Sequence, residues 1–174
     1  MEFYECGCFE VYIAASPQNV EIFQLGRIVG RDDDNEHFGI IESMKIETDA
    51  ENGDYLTISG RFLTCLLECR IIYPTFSANN TYENIVRNVL SRNAISAGIR
   101  SIPGLSMGTV SEACWQRKTR LQVSYDNLME WLYTICETIG GSVNIRLNGN
   151  SLKYDLFEGT DRNILQDTNP HIVF

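Results

Sequence analysis

The segment from Phe38 to Tyr73 constrains the fold of this chain more than any other part of the sequence. Apolar and polar residues alternate over Phe38–Thr48 and again over Asp54–Ser59, with the polar stretch Asp49–Gly53 between them. Alternation with a period of two residues is typical of amphipathic strands, and a short polar linker joins such strands as antiparallel neighbours. The segment therefore predicts a strand–turn–strand unit.

Each strand of this unit is predicted to have one apolar face. The apolar positions are Phe38, Ile40, Met44 and Ile46 on the first strand, and Leu56 and Ile58 on the second. Ser59 is then expected to cap a short helix over Arg61–Cys69, because a serine oxygen accepts hydrogen bonds from the first turn of a helix. This helix is apolar over much of its surface, so we expect it to be buried.

Upstream residues are expected to extend the same sheet. Phe9–Ala14 alternates as a strand does, Ser16–Asn19 has the composition of a turn, and Val20–Val29 indicates another strand with an irregular start. The charged run Arg31–Glu36 is predicted to be an exposed hairpin loop that leads into Phe38–Thr48. Four strands with short connections predict an antiparallel sheet or a small barrel.

Helical spacing of apolar residues is most evident in the second half of the chain. Asn80 begins a pattern that resembles a capping box, and it predicts a helix to about Asn93. A second helix, capped by Ser124 or Asp126, is predicted to run to Ile139 and to end at the two glycines that follow.

The rest of the second half is predicted to be extended or irregular. Ala97–Gly108 is expected to be a loop and Ala113–Val123 an extended stretch. Val143–Leu147 and Leu152–Phe157 predict a hairpin, since an Asn-Gly-Asn turn separates them.

These elements together predict an α+β fold in two parts. Residues 1–75 are expected to form an antiparallel, barrel-like domain with a short helix. Residues 76–174 are expected to form an α+β domain of helices and a helix-plus-hairpin unit. The chain ends on an apolar, strand-like run, which predicts that the natural protein continues.

The charge of the chain argues against nucleic acid as a partner. The sequence has 14 basic and 23 acidic residues and a formal net charge of −9. Proteins that bind nucleic acid instead cluster cations, which displace counterions from the phosphates. The sequence contains no run of about 18 apolar residues, which is the length that a membrane-spanning helix needs. We expect neither sequence-specific nucleic-acid binding nor membrane insertion.

The cysteines are interpreted as reduced thiols, because the N-terminal run lacks the cationic start of a secretion signal. There are six: Cys6, Cys8, Cys65, Cys69, Cys114 and Cys136. Their C-x-C and C-x-x-x-C spacings differ from the C-x-x-C pairs of structural zinc sites. We interpret the last four as small core residues.

The acidic run of the hairpin loop is the most site-like cluster of polar residues. Oxygen atoms of Asp32, Asp34 and Glu36 are ligands that calcium prefers, but a calcium-binding loop of the EF-hand type needs glycine where His37 stands. A solvated hairpin tip explains the same residues, and we favour that interpretation. Cation binding by these three carboxylates remains open.

Catalytic chemistry has little support in this sequence. The two histidines, His37 and His171, are not accompanied by a nucleophile motif. Several acids of the second half are available for glycoside hydrolysis, although each also fits the polar side of a helix or strand. These acids are Asp126, Glu130, Glu137, Asp155 and Glu158. We predict no catalytic, cofactor-binding or metal-binding residues.

The two tryptophans are expected to differ in exposure. Trp131 lies on the apolar face of the second predicted helix, so we expect it to pack in the core. Trp115 stands beside Arg117 and Lys118 and is predicted to be the more exposed aromatic residue.

Several stretches of the sequence resemble one family of phage proteins. They are FEVYIAAS, FGIIESMKIETDAENGDYLTISGRFLTCLLECRII, GTDRN and NPHIVF. The most specific part is SGR-x-L-x-x-x-L-x-x-R, formed by Ser59, Gly60, Arg61, Leu63, Leu67 and Arg70. Over nearly the whole chain, the sequence is similar to the N-terminal half of the tail-associated, baseplate-hub proteins of siphophages and prophages.

The resemblance implies a structural role and no enzymatic activity. Proteins of this kind close the distal end of the tail tube as homotrimers whose barrel-like domains form a ring. The expected partners are the distal tail protein and the end of the tape-measure protein. The expected location is the tail tip of the virion, after assembly in the cytoplasm of the bacterial host. The resemblance supplies no catalytic residues and no cofactor.

Two other functions remain open on the sequence. A phage-associated cell-wall hydrolase would need paired acids, or a cysteine and a histidine, in one cleft. A host-glycan-binding module would need an exposed aromatic side chain, such as Trp115, beside polar groups.

Overall fold

The computed structural model describes residues 5–49, 53–108 and 112–159, and it confirms the α+β class. The strands are β1 (Cys8–Ala14), β2 (Ile28–Gly30), β3 (Phe38–Asp49), β4 (Gly53–Phe62), β5 (Phe76–Thr81), β6 (Leu105–Met107), β7 (Lys118–Val123), β8 (Gly141–Asn148) and β9 (Ser151–Glu158). The α-helices are α1 (Pro17–Ile22), α2 (Tyr82–Leu90) and α3 (Leu128–Ile139). Short 3-10 helices lie at Leu63–Leu67, Gly98–Arg100 and Ala113–Gln116, and a π-helical turn lies at Ser91–Ile95.

The first four strands form a curled antiparallel sheet in the order β1-β4-β3-β2. This arrangement confirms the antiparallel sheet, and its curl is that of a half-barrel. Gly30 pairs with Phe38, so the charged run Arg31–Glu36 is the hairpin loop that the sequence predicts. The predicted turn Asp49–Gly53 has its residues 50–52 outside the described residues.

The segment after β1 is a helix where the sequence predicts a turn and a strand. Ser16 caps α1, because its Oγ accepts a hydrogen bond from the Asn19 N–H at 3.1 Å, and Pro17 occupies the first helical position. Serine followed by proline favours a helix start. The predicted strand Val20–Val29 is therefore wrong over most of its length, since β2 begins only at Ile28.

A β-bulge divides the apolar face that the sequence predicts for β3. The register against β4 shifts between Ile41 and Ser43, and such a shift reverses the alternation of side chains. Phe38 and Ile40 consequently pack against the larger core of the protein. Met44, beyond the bulge, packs on the other face of the sheet.

Ser59 does not cap a helix. It lies inside β4, opposite Glu10 of β1 and Ser43 of β3, and the strand continues to Phe62. Pairing on both sides of β4 outweighs the local tendency of serine to start a helix. The helix that follows is a 3-10 helix from Leu63 to Leu67 without a side-chain cap, and it is largely buried as predicted.

The two long helices of the second half are confirmed, with different caps. Thr81 caps α2, because its Oγ1 accepts a hydrogen bond from the Asn84 N–H at 3.3 Å. Asn127 caps α3, because its Oδ1 accepts from the Met129 N–H at 2.9 Å. The end of α3 at Gly140 is as predicted, with a left-handed backbone of φ 75°.

Two small sheets complete the second half. β5 pairs with β7, and β9 lies between β6 and β8. The hairpin of β8 and β9 confirms the prediction around the Asn-Gly-Asn turn. The predicted loop Ala97–Gly108 contains a 3-10 turn and β6, and the predicted extended stretch Ala113–Val123 begins as a 3-10 helix.

The buried apolar residues form two clusters. The small cluster lies on the inner face of the curled sheet and contains Ile41, Leu56 and Ile58. The larger cluster joins Leu63 and Leu67 to α2, α3, β8 and β9. The division of the chain into domains near residue 75 stays a prediction. No helix in the described part of the chain has the length and apolar character to cross a membrane.

Candidate interaction surfaces

The curled sheet has open edges on both sides. Among the described residues, β1 pairs only with β4, over all seven of its residues. On the other side, β2 pairs only with Phe38–Ile40 of β3, so Ser43–Thr48 have no strand partner there among the described residues. Edge strands present backbone N–H and C=O groups in the arrangement that another strand requires. Both edges are therefore candidate sites for pairing with a further chain.

Apolar side chains remain exposed around the inner face of this sheet. We call Val11, Ile22, Leu25 and Ile46 the sheet rim. Val11 and Ile46 lie on the same face as the buried Ile58 and Leu56, as their register in the sheet shows. Ile22 and Leu25 lie at and just after the end of α1. All four side chains are at least 40% exposed, and exposed apolar side chains that are contiguous mark interaction surfaces.

A second exposed surface combines aromatic, aliphatic and cationic side chains. We call Ile71, Tyr73, Ile99, Arg100 and Tyr125 the tyrosine–arginine patch, and they line an open groove of about 620 Å³. The rings of Tyr73 and Tyr125 lie 5.8 Å apart, and the Arg100 guanidinium lies 5.8 Å from the Tyr73 ring centroid. Ile99 is fully exposed. Tyrosine and arginine are the residue types most enriched in the energetically dominant part of protein interfaces.

The backbone of Tyr125 holds its side chain on this patch in a strained conformation. Its φ of 60° lies in the left-handed region, which is costly for an aromatic residue. Tyr125 N–H donates to the Ile72 carbonyl oxygen at 2.8 Å, and this bond fixes the segment against the strand-like residues before Pro74. Strain of this kind persists where the surrounding structure enforces it, often at a binding surface.

A polar cleft of about 580 Å³ separates the charged hairpin loop from the hairpin of β8 and β9. Asn144 Nδ2 donates to the Glu36 carbonyl oxygen at 2.8 Å, which ties the loop to β8. Asp155 and Arg146 form an ion pair at 2.5 Å on the floor of the cleft. Because this ion pair occupies the Asp155 carboxylate, the cleft does not present it as a free acid.

The remaining candidate acids do not converge on this cleft. Asp126, Glu130 and Glu137 are exposed at or along α3. Glu158 accepts a hydrogen bond from the Cys114 N–H at 3.3 Å, near the end of β9. His37 lines the cleft, whereas His171 lies outside the described residues. The five acids named from the sequence therefore do not line one cleft together; the acids that line this cleft with Asp155 are Glu36 and Glu112.

The acidic loop forms its own internal hydrogen bonds. Asp34 accepts from the backbone N–H groups of Glu36 at 2.9 Å and of His37 at 3.1 Å, and it contacts His37 Nδ1 at 2.8 Å. The Glu36 N–H, followed by the His37 ring, holds the pKa of Asp34 below its ordinary value. Asp32 and Glu36 are exposed. In the described residues no group of three or more histidines, cysteines and acids is arranged to hold a metal ion.

Trp115 is buried, contrary to the prediction from its charged neighbours. Its side chain is fully enclosed in the larger core, and Nε1 donates to the Phe157 carbonyl oxygen at 3.0 Å. The 3-10 helix that contains it turns the indole inward, which the sequence alone does not show. Trp131 packs against the same core, as predicted. The glycan-binding interpretation thus loses the aromatic residue on which it rested.

The cysteine predictions are confirmed with one exception. Cys65, Cys114 and Cys136 are buried, whereas Cys69 is exposed. Burial raises the pKa of Cys114 to about 11 and that of Cys136 to about 12, so both are inert thiols at neutral pH.

Sequence reasoning missed the tyrosine–arginine patch. Its residues come from three separate segments, around Ile71, Ile99 and Tyr125, and only the tertiary fold brings them together. One signal was available in the sequence. An isoleucine between glycine and arginine in a predicted loop is a poor candidate for the core.

Comparison with known proteins relates this chain to a family of siphophage proteins. A family model described as "Siphovirus ReqiPepy6 Gp37-like protein" matches residues 2–174, which is almost the whole chain. No curated protein matches this sequence. The matched range includes the curled sheet, both exposed surfaces and the Ser-Gly-Arg segment.

Proposed function

We propose a structural role in the virion for this chain, which belongs to the siphovirus Gp37-like protein family. Family membership makes it a siphophage protein. Our proposal is that it is a baseplate-hub protein of the tail tip, closing the distal end of the tail tube. Its partners would be the distal tail protein, the end of the tape-measure protein and two further copies of itself in the full-length trimer. The proposed role requires no catalysis.

The open, curled sheet is the observation that carries this proposal. A four-stranded half-barrel with a seven-residue edge strand has its own small core and still lacks neighbours on both sides within the described part of the chain. Soluble proteins usually protect such edges with charges, prolines or covering loops. Here Val11 and Ile46 leave the inner face of both edge strands apolar, and the charged Glu10, Lys45 and Glu47 alternate with them on the other face. Pairing with another chain in a ring would satisfy the backbone groups and cover the rim together.

The net charge of the chain is compatible with a position on the path of DNA. With 23 acidic against 14 basic residues, the surface repels the phosphate backbone and would not retain DNA during its passage. The tyrosine–arginine patch differs from this acidic surface and would serve a second protein contact.

The first test of this proposal is to locate the protein on phage particles. Antibody raised against the chain, with gold detection by electron microscopy, should label the tail tips of phage particles that encode it. A label at the tip supports the tail-tip assignment. Intact particles without label at the tip, with the antigen free in the lysate, would remove it.

A pair of variants then tests the sheet edge. Val11→Lys places a charge on the rim of β1, whereas Gln18→Lys adds the same charge to exposed α1. We expect both purified variants to fold and only Val11→Lys to be excluded from particles, because charges on an edge oppose strand pairing. Normal incorporation of Val11→Lys would contradict the role of this edge and leave the location unaffected.

A further inference from the structure

The thiols of Cys6 and Cys65 are held together by the start of the curled sheet. The Phe62 N–H donates to the Gly7 carbonyl oxygen at 3.0 Å, and Cys6 Sγ donates to the Phe62 carbonyl oxygen at 3.3 Å. The Cys6 N–H donates to Tyr133 Oη at 2.7 Å, which fixes the residue against α3. Cys65 follows Phe62 by three residues, in the 3-10 helix, and this places its thiol beside that of Cys6.

The two thiols differ in their access to solvent. Cys65 is buried, with 4% of its surface exposed. Cys6 is half-buried and lies on the wall of an open groove of about 270 Å³. The groove therefore gives a small molecule access to Cys6, whereas Cys65 does not line it.

The side chains of Cys65, Thr64 and Arg61 favour the thiolate of Cys6. The hydrogen bond from the Cys65 thiol, helped by Thr64 and the Arg61 guanidinium, lowers the pKa of Cys6 to about 6. The interaction of its side chain with Cys6, followed by burial and by the negative charge on Cys6, raises the pKa of Cys65 above its ordinary value. The pair thus has an accessible thiolate and a buried thiol that is its neighbour. Reactive cysteines have this low pKa and partial exposure.

We propose that Cys6 and Cys65 are a modification site at which a disulfide forms. This inference is independent of the proposed role in the tail. The Cys6 thiolate attacks one sulfur of a small-molecule disulfide and releases the first thiolate, which takes up a proton. The Cys65 thiol, having lost its proton, then attacks the Cys6 sulfur and releases the second small-molecule thiol. Two protein thiols are oxidised and one external disulfide is reduced, so protons and electrons balance.

The charges around the groove predict which disulfides react fastest. The charged and titratable side chains that face Cys6 are Glu5, Arg61, Glu68, Glu130 and Tyr133, with Glu42 close to Cys65. Arg61 is already paired with Glu42 and Glu68. Acids exceed cations at the groove, so a cationic disulfide is favoured there over an anionic one.

The disulfide would join the first residues of the chain to the helix after β4. In the reduced protein, this junction depends on the hydrogen bonds of Cys6 and Gly7 described above. A covalent link between residues 6 and 65 restricts the unfolded chain across the whole curled sheet. We therefore expect oxidation to raise the midpoint of thermal unfolding.

The test uses the full chain, reduced and then freed of reductant. Trypsin cleaves after Arg27, Arg61 and Arg70, so Cys6 and Cys8 share one peptide and Cys65 and Cys69 share another. The double variant Cys8→Ser/Cys69→Ser keeps only the proposed pair in these peptides. After treatment with cystamine, which is cationic, we expect this variant to lose two hydrogen atoms in mass and to yield the peptide 1–27 linked to 62–70.

One single variant and a second reagent give the controls. Cys65→Ser should stop at a stable mixed disulfide on Cys6, since the resolving thiol is absent. Oxidised glutathione, which is anionic, should react more slowly than cystamine. Added salt should reduce the difference between the two reaction rates, because it screens the charges at the groove. Cystamine and glutathione rates that are equal at low salt would contradict the electrostatic part of the proposal.

Other outcomes would contradict the proposal that Cys6 and Cys65 form a disulfide. A stable cystamine adduct on Cys6 in the double variant, without the linked peptides, would show that Cys65 does not resolve it. In the wild-type chain, a link between Cys6 and Cys8 that leaves Cys65 free would do the same. If the linked double variant unfolds at a lower temperature than its reduced form, the disulfide distorts the fold and the site is not built for it.

Discussion

A Cβ atom added to Gly60 would lie 1.9 Å from the carbonyl oxygen of Ile40 on the neighbouring strand. This close approach of two backbones occurs beside the bulge, where Gly60 pairs with Ile41 before the register shifts. Glycine at this point of the Ser-Gly-Arg motif is therefore a requirement of sheet geometry. The adjacent Arg61 then pairs with Glu42 of β3 at 2.7 Å and with Glu68 after the 3-10 helix.

Gly60→Ala should lower the free energy of unfolding by about 1–3 kcal/mol, the range for overpacking a tight site. The obstructing atom is backbone and cannot move without disturbing the pairing of β3 with β4. Urea denaturation measures the loss. Ser59→Ala, one residue earlier in the same strand, is the matched control and should change stability less. Equal effects of the two variants would contradict this account of the motif.

Trp115→Phe should lower the free energy of unfolding by about 1–2 kcal/mol from the lost hydrogen bond alone. The indole is fully buried, and its Nε1 is a donor to the Phe157 carbonyl oxygen. Trp131→Phe, at a half-buried position, is the control for removing an indole and should cost less. If Trp115→Phe has the same free energy of unfolding as the wild type, the buried position and the hydrogen bond of Trp115 would be contradicted.

Asp34→Ser should lower the midpoint of thermal unfolding, while Asp32→Ser should not. Asp34 accepts three hydrogen bonds within the loop, and Asp32 is exposed. Because the pKa of Asp34 is depressed in the folded protein, its contribution is present above the ordinary carboxyl pKa and is lost as pH falls below it. The difference between Asp34→Ser and wild type should therefore shrink at about pH 3. A difference that persists there would point to a cause other than the carboxylate.

Alkylation of Cys6 by iodoacetamide should stay fast as pH is lowered to about 6 and should slow below that value. The reason is that the thiolate, stabilised by the Cys65 thiol, is the reacting species. In Cys65→Ser the serine hydroxyl donates a hydrogen bond in its place, whereas Cys65→Ala removes the donor. The midpoint should therefore move to higher pH in Cys65→Ala and less in Cys65→Ser. Mass spectrometry of the peptide 1–27 in a Cys8→Ser background measures the rate, and identical midpoints in all variants would contradict the proposed hydrogen bond.

Tyr125→Asn should keep the free energy of unfolding within about 1 kcal/mol of wild type or raise it, since asparagine tolerates the left-handed region. The Tyr125 side chain is 68% exposed, so little core packing is lost. Tyr125→Phe keeps the strain and the ring and serves as the control, with no change expected. A loss of several kcal/mol in Tyr125→Asn, measured by urea denaturation, would show that the ring is a structural element and would weaken the interpretation of the patch as a binding surface.

Local patterns in the sequence predicted the elements that have a regular apolar periodicity or a clear turn signal. The strands β1, β3 and β4, the end of α3 at Gly140 and the final hairpin follow from alternation, helical spacing and turn residues. The errors occur where two local signals compete. Ser16 and Ser59 both resemble helix caps or turn residues, and one begins a helix while the other lies in a strand paired on both sides.

The candidate surfaces were harder to predict from the sequence than the fold was. The sheet edges follow from counting strands, but the short length of β2, which leaves β3 partly open, does not. The tyrosine–arginine patch and the Cys6–Cys65 pair each join residues that are distant in the sequence. No local sequence pattern indicates that these residues lie close together in the fold.

The sequence by itself determined the α+β class, the antiparallel strands and the exposed charged loop, because periodicity and turn chemistry act over a few residues. It also contained the motif residues of the family. Tertiary structure alone decided that Trp115 is buried, that a bulge sends Phe38 and Met44 into different cores, and that Cys6 meets Cys65. These outcomes depend on which distant segments pack together, and the packing free energy of distant contacts exceeds the local preferences that a sequence shows.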